Sequence, residues 1–234
     1  MAWLRPPAFD ERGCNVLDPA DRFGIKSDFV TLIQHETLRS HLPRAEPGAV
    51  AADVGCGYGR HAGLVRSLGY TTIGIDPDAR FLELARHAVP DVEFRLGALP
   101  DLPIAYESCD LLTMLSLWRP LHQLGETRKA VGAARYVKPG GTIAMIENIR
   151  ARPHPLFVEE RTILDWARGE ELELTLRLPF RQGRRLYLYL MMTGLFPRSL
   201  LPAIARREAA QMARRRALPR SSYCNVLFLF KKPG

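Results

Sequence analysis

Three glycines and two acids in the first third of the chain have the types and spacing for ligand chemistry. The stretch "AADVGCGYGRH" runs from Ala51 to His61. A small apolar run leads into Gly55-x-Gly57-x-Gly59, where glycines let the backbone turn tightly and approach a ligand. A dinucleotide fingerprint has the form G-x-G-x-x-G, and Arg60 stands where its third glycine would be. A phosphate-binding P-loop needs Gly-Lys-Ser/Thr, which this loop lacks. Asp53 precedes the first glycine by two residues. A carboxylate so close disfavours a pyrophosphate and favours a ligand with a cationic group. Asp76 follows Gly55 by 21 residues and ends the next apolar run, where an acid can accept hydrogen bonds from both ribose hydroxyls. The pattern points to an aminoacyl nucleoside.

Short β-like runs recur around this loop at 49–54, 71–75, 92–96, 110–115 and 142–147. Helix-like stretches separate them at 61–68, 79–88 and 126–136. Strands alternating with helices predict a doubly wound, mostly parallel α/β sheet. A helix is predicted over 27–42 with Ser27 as its N-cap, and the Lys138–Gly141 stretch "KPGG" reads as a turn before a strand. Beyond residue 150, a helix is expected over 159–168 and an edge strand over 172–180, where leucines alternate with polar residues. "YCNVLFLF" (223–230), apolar on both faces, reads as an inner strand. Between these strands lies an apolar run, 186–196, and a helix from about Ser199 to Arg216 with a stripe of Leu201, Ile204, Ala205, Ala209, Met212 and Ala213.

"DVGCGYG" (53–59), Asp76 and "VKPGG" (137–141), in this strand succession, resemble the class I (Rossmann-like) S-adenosylmethionine-dependent methyltransferases. The resemblance spans Val50 to Glu147, and the final strand pair more loosely. It implies a seven-stranded sheet with an antiparallel last strand, an N-terminal helix and a helical insertion between the last two strands. One domain over 1–234 is expected, with a cap segment at 15–43 and an insertion or lid at 181–220. The implied cofactor is S-adenosyl-L-methionine. Asp53 would approach its methionyl amino end, Gly55, Cys56, Gly57 and Gly59 would give it backbone room, and Asp76 with Pro77 would hold the ribose. Many members carry an acid after the third strand that meets the adenine amine; here the stretch is "LGALPDLP", so adenine is expected against the backbone at Ala98 and Leu99, with Asp101 a weaker candidate, and Leu115 is counted with the cofactor-binding residues.

A sulfonium methyl is already electrophilic, so the protein's work is alignment and exclusion of water. A hydroxyl acceptor also needs a base. His122 lies where related enzymes carry an aromatic residue or histidine near the cofactor, and imidazole titrates close to neutral pH. Glu147 is the second catalytic candidate, and Trp118 and His154 are placed at the substrate side. Glu147-Asn148 resembles the acid–amide pair of magnesium-dependent catechol methyltransferases, but Leu115, Ser116 and Leu117 stand where their third acid would be. The oxygen ligand set is incomplete, and no metal is expected.

"NVLDPADRFGIKSDF" (15–29) resembles an N-terminal motif of methyltransferases from polysaccharide and glycolipid biosynthesis, which would bring Asp21, Arg22 and Lys26 to the cleft mouth, Lys26 meeting an anionic group. The insertion adds Tyr187 and Tyr189 after Arg184 and Arg185. Charge is uneven: residues 151–234 hold 16 Lys/Arg against 7 Asp/Glu in a chain of net +8. Apolar and cationic character together suit an anionic membrane surface; a solvated basic face on a packed lid gives the same composition.

The expected function is methyl transfer to a small-molecule or glycan acceptor, at oxygen. Alternatives are a quinone-like or aromatic acceptor, RNA, and a non-catalytic cofactor-binding partner protein. No aromatic-studded RNA module is present, which argues against nucleic acid. Four scattered cysteines (14, 56, 109, 224) and the lack of a signal pattern or long apolar span suggest a cytoplasmic protein, peripheral to the inner face of the membrane if that surface binds.

Overall fold

The computed structural model describes residues 18–183, 185–215, 218 and 222–234. Cys14, Arg184, Arg216 and Arg220, and the first residues of the 15–43 segment, lie outside them.

The strands are β1 (Val50–Val54), β2 (Thr71–Asp76), β3 (Glu93–Leu96), β4 (Cys109–Leu115), β5 (Val137–Arg150), β6 (Glu173–Gln182) and β7 (Tyr223–Lys231). They form a seven-stranded sheet in the order β3-β2-β1-β4-β5-β7-β6. The first five run parallel, and β7 pairs antiparallel with both β5 and β6. The expected topology holds, including the inner position of β7 and the edge position of β6. Order reverses between β1 and β4, and such a switch point opens a crevice at the carboxyl ends of the strands.

The helices are α1 (Ile25–His41), α2 (Ala62–Ser67), α3 (Ala79–Ala88), α4 (Trp118–Gln123), α5 (Glu160–Gly169), α6 (Leu186–Met192) and α7 (Leu201–Ala213). Side chains alternate across the sheet, and two large apolar clusters result. One joins Val54, Leu112, Met145 and Phe228 to Trp118, Ile163 and Trp166 of α4 and α5. The other joins Leu111, Ile146 and Leu227 to Phe29 and Ile33 of α1, Leu64 of α2, Leu188 of α6 and Leu201 of α7. The insertion therefore packs on the same face as α1.

Local boundaries depart from the sequence reading for physical reasons. Helix α1 starts before Ser27: Gly24 takes a left-handed φ of 69° at the N-cap. Asp21 performs the capping instead, its Oδ2 accepting from Ser27 N at 2.8 Å. No α-helix forms over 126–136. Gly132, at φ 83°, separates two short 3₁₀ turns, Thr127–Ala130 and Ala133–Tyr136. The Lys138–Gly141 stretch belongs to β5 and takes up a register shift against β4. The last helix stops at Ala213, which is exposed, and its buried stripe includes Glu208, an acid the apolar pattern passed over.

Candidate active site

Gly55 has φ 72°, and a Cβ there would stand 2.9 Å from Leu117 Cδ1. Gly57 has φ 53°, and a Cβ there would meet open space. Only glycine takes both torsions without strain, and at Gly57 the backbone is bare toward the crevice. The loop is tied down by Gly55 N and Cys56 N, which donate to Ile75 O at 2.8 and 3.1 Å. Cys56 is buried, and its thiol is pushed up by burial and then by Asp53 and Asp76.

Asp76 holds the loop directly: its Oδ2 accepts from Gly57 N at 2.8 Å and its Oδ1 from Asp78 N at 2.9 Å. It thus fixes the start of α3 and the glycine turn together, just before the exposed Pro77. Asp53, 2% exposed, accepts from Thr113 Oγ1 at 2.6 Å. Its other oxygen, Oδ2, is enclosed and has no hydrogen-bond partner among the described residues. Burial pushes its pKa up to about 6, against the opposing effects of Thr113 and Arg60 and with the help of Asp76. An enclosed oxygen without a donor is costly unless a ligand supplies one.

Arg60 brings a cation close to that carboxylate. Burial lowers its pKa; Tyr58 and Asp53 pull it back, and Arg181 pushes the same way as burial. Its Nη1 donates to Thr31 Oγ1 on α1 at 3.3 Å. Sequence reasoning used Arg60 only as a missing glycine. It also missed Thr113, which becomes Asp53's neighbour only through β1–β4 register. Of the residues expected to meet the adenine, Ala98 is exposed and Leu99 is buried, and Leu115 is buried as well. Gly59 is filled in by neighbours: a Cβ there would meet Phe94, Ala85 and Val89 at 3.2–3.3 Å.

The other predicted residues fall into different environments. Glu147 is fully buried, and its Oε1 accepts from Trp118 N at 2.7 Å. Burial raises its pKa to about 8, although the backbone N–H groups of Trp118, Arg119, Asn148 and Leu117 oppose the rise. This places Glu147 as a brace for α4, shut away from an incoming acceptor, rather than as a base. Trp118, 1% exposed, stacks edge-on against Trp166 at 5.3 Å and belongs to the core rather than to a cleft wall. His122 sits half-buried in the last turn of α4. His154 accepts at Nδ1 from Leu156 N and lies edge-on to Phe157, which stacks on Tyr223. Lys26 pairs with Asp18, and the Tyr187 hydroxyl donates to Glu208. A cleft of about 440 Å³ between the end of β5 and α5, lined by Arg150, Glu160 and Arg177 among others, holds none of these candidates. Among the described residues no group of three or more His, Cys, Asp or Glu is placed to hold a metal ion.

Residues 52–145 match the family model described as "Methyltransferase domain". The fold superposes on a geranyl diphosphate methyltransferase solved with S-adenosylmethionine at a TM-score of 0.62, with 15% identity and coverage of 97% of this chain and 96% of that one. Residues 52–145 thus match a methyltransferase domain, and the fold is that of the class I S-adenosylmethionine-dependent methyltransferases. A methyltransferase of this kind from Mesorhizobium loti gives a TM-score of 0.59 at 17% identity, covering 86% of this chain and 98% of that one. An uncharacterized Mycobacterium tuberculosis methyltransferase is 26% identical over 42% of this chain and 39% of its own length. The demethylmenaquinone methyltransferase of Renibacterium salmoninarum is 27% identical over 66% of this chain and 64% of its own length. The chain thus spans under half of the first curated methyltransferases it matches. The Asp53 oxygen without a donor, the open space at Gly57 and the Asp76 carboxylate are groups that would fit S-adenosyl-L-methionine.

Proposed function

We propose that the chain transfers the methyl group of S-adenosyl-L-methionine to a small-molecule acceptor. The observation that carries this reading is the enclosed Asp53 Oδ2, which lacks a donor at the head of the glycine loop. The cofactor's amino group is the donor it would take, and Arg60 stands beside it for the cofactor's carboxylate. The outer lone pairs of Asp76 are available to the ribose hydroxyls, and Ala98 and Leu99 flank the adenine. The cofactor, when bound, supplies an electrophilic methyl, and the residues of this chain orient it and exclude water. A sugar or glycan hydroxyl is the leading acceptor, with His122 as the group to take its proton. The likeness to a demethylmenaquinone methyltransferase favours a second acceptor class, a quinone-like ring.

Labelled cofactor incubated with the purified chain and a fractionated small-molecule extract tests the activity. Label is expected in a low-mass product with wild type and is expected to fall about a hundredfold or more with Asp53→Asn, as when a preorganised charged contact is lost. Tight cofactor binding without transfer to any fraction would favour a non-catalytic partner protein instead.

A further inference from the structure

The antiparallel end of the sheet brings a second polar cluster to the crevice. Arg181 on β6 stands opposite Asn225 on β7, and Asn225 stands opposite Asn148 on β5. Arg181 Nε donates to Asn225 Oδ1 at 2.5 Å, and Asn225 Nδ2 donates in turn to Asn148 Oδ1. Arg181 Nη2 reaches the Tyr223 hydroxyl at 3.4 Å. Arg181 is 3% exposed and lies over the Tyr223 ring, yet its Nη1 has no hydrogen-bond partner among the described residues. Arg185, just beyond the end of β6, also has Nε and Nη2 enclosed without hydrogen bonds among the described residues; its Nε is 4.0 Å from Glu208 Oε1.

Glu208 does not neutralise this cluster by hydrogen bonding to it. Its Oε1 accepts from Gln182 N at 2.6 Å and its Oε2 from the Tyr187 hydroxyl. Further positive charge converges on the same point. Burial alone would raise the Tyr223 phenol pKa, but Arg181, Lys26 and Arg119 bring it below its ordinary value. Arg60 and Arg181 also act on each other. Lys26 is taken up by Asp18 and Arg60 has Asp53 beside it, which leaves Arg181 and Arg185 with unused donors among the described residues and Glu208 4.0 Å from Arg185. A buried guanidinium without an acceptor is strongly unfavourable, and its planar fork matches an oxyanion. The cluster lies at the carboxyl end of β5, where an acceptor would meet the cofactor's methyl group.

We propose that Arg181, with Arg185 and Tyr223, holds an oxyanion of the methyl acceptor, a phosphoryl or carboxylate group on a small molecule. The inference rests on the methyltransferase reading for the acceptor's identity, but the anion site itself can be measured alone. A bilayer-displayed headgroup is a poor fit, because Arg181 is 3% exposed and the anion must be carried into the cleft.

The test is calorimetric titration of the full chain with inorganic pyrophosphate and, separately, acetate, both unliganded and loaded with S-adenosylhomocysteine. Wild type is expected to bind one of the two saturably, pyrophosphate pointing to a phosphoryl acceptor and acetate to a carboxylate. Arg181→Gln is expected to weaken that binding about tenfold or more, with S-adenosylhomocysteine affinity within about twofold of wild type. Arg185→Gln, at a more exposed position, provides a second variant with the same direction of effect. Saturation by neither anion up to about 10 mM overturns the proposal. So does a parallel loss of S-adenosylhomocysteine affinity, which would assign the arginines to the cofactor's own carboxylate. Failure of wild type to bind S-adenosylhomocysteine sinks the methyltransferase reading instead, and titration of the unliganded chain still decides the anion site.

Discussion

Asp53 shows how one residue can cost the fold stability while serving a ligand. Its pKa in the folded chain is about 6, above the ordinary carboxylate range, chiefly because of burial. The folded state therefore favours the protonated acid. The sign follows: this group leaves stability intact below about pH 4 and removes it progressively as pH rises to about 6, after which the loss is constant. The loss amounts to about 3 kcal/mol. Asp53→Asn removes the ionisation while retaining an acceptor for Thr113. The unliganded variant is expected to be about 1–3 kcal/mol more stable than wild type at pH 8 and equal to it near pH 4. Adding S-adenosyl-L-methionine at pH 8 should raise the melting temperature of wild type and leave that of the variant unmoved. Denaturation curves at the two pH values check both. A variant less stable at pH 8 would mean that the Asp53 charge is satisfied within the protein.

Short elements position longer ones around the crevice, and α4 depends on a single buried acid. Glu147 accepts from the backbone at the start of α4, and its pKa of about 8 leaves it largely protonated at neutral pH. Glu147→Gln copies the neutral acid's shape. Turnover is expected to stay within about threefold of wild type with an unchanged pH profile, whereas a base would lose about a hundredfold and one limb of the profile. Glu147→Ala, which leaves the N–H of Trp118 without its acceptor, should cost about 1–3 kcal/mol in denaturation. This is also where the sequence stopped being legible. The glycine loop, Asp53 and Asp76 could be read because they are local: a turn and two strand ends fix them. Period-two alternation similarly made β6 readable as an edge strand. Glu147 ends its apolar run in the sequence as Asp76 does, but the strand continues to Arg150 and its partner is a helix 29 residues earlier, so nothing nearby distinguished a brace from a base. Arg181 and Asn225 are 44 residues apart and meet only through the antiparallel register. Gly132 is the local opposite: one residue, read too lightly, replaced a helix with two 3₁₀ turns.

At the scale of the whole molecule, charge and apolar exposure meet on the insertion. Leu195 is 88% exposed, Leu186 76%, Tyr189 55% and Leu190 49%. Phe23, 53% exposed, lies against Gly194, and Arg198 Nη2 donates to its carbonyl, so the cap segment and the insertion form one continuous surface. No described helix is long and apolar enough to cross a membrane. Large exposed apolar groups beside arginines are what contact with a lipid surface uses: the apolar side chains enter the headgroup region while the cations meet anionic lipid. The chain is expected to co-sediment with vesicles containing phosphatidylglycerol at low salt and to be released as salt rises past the range where surface charges are screened. Leu195→Asp should weaken binding without altering the melting temperature, because the side chain it replaces is almost fully exposed. Retention at high salt with loss in Leu195→Asp would assign the larger share to apolar insertion; release at modest salt with little effect of the variant would assign it to the arginines. No co-sedimentation at low salt would remove the membrane from the list of partners and leave the basic face of the insertion as a solvated surface.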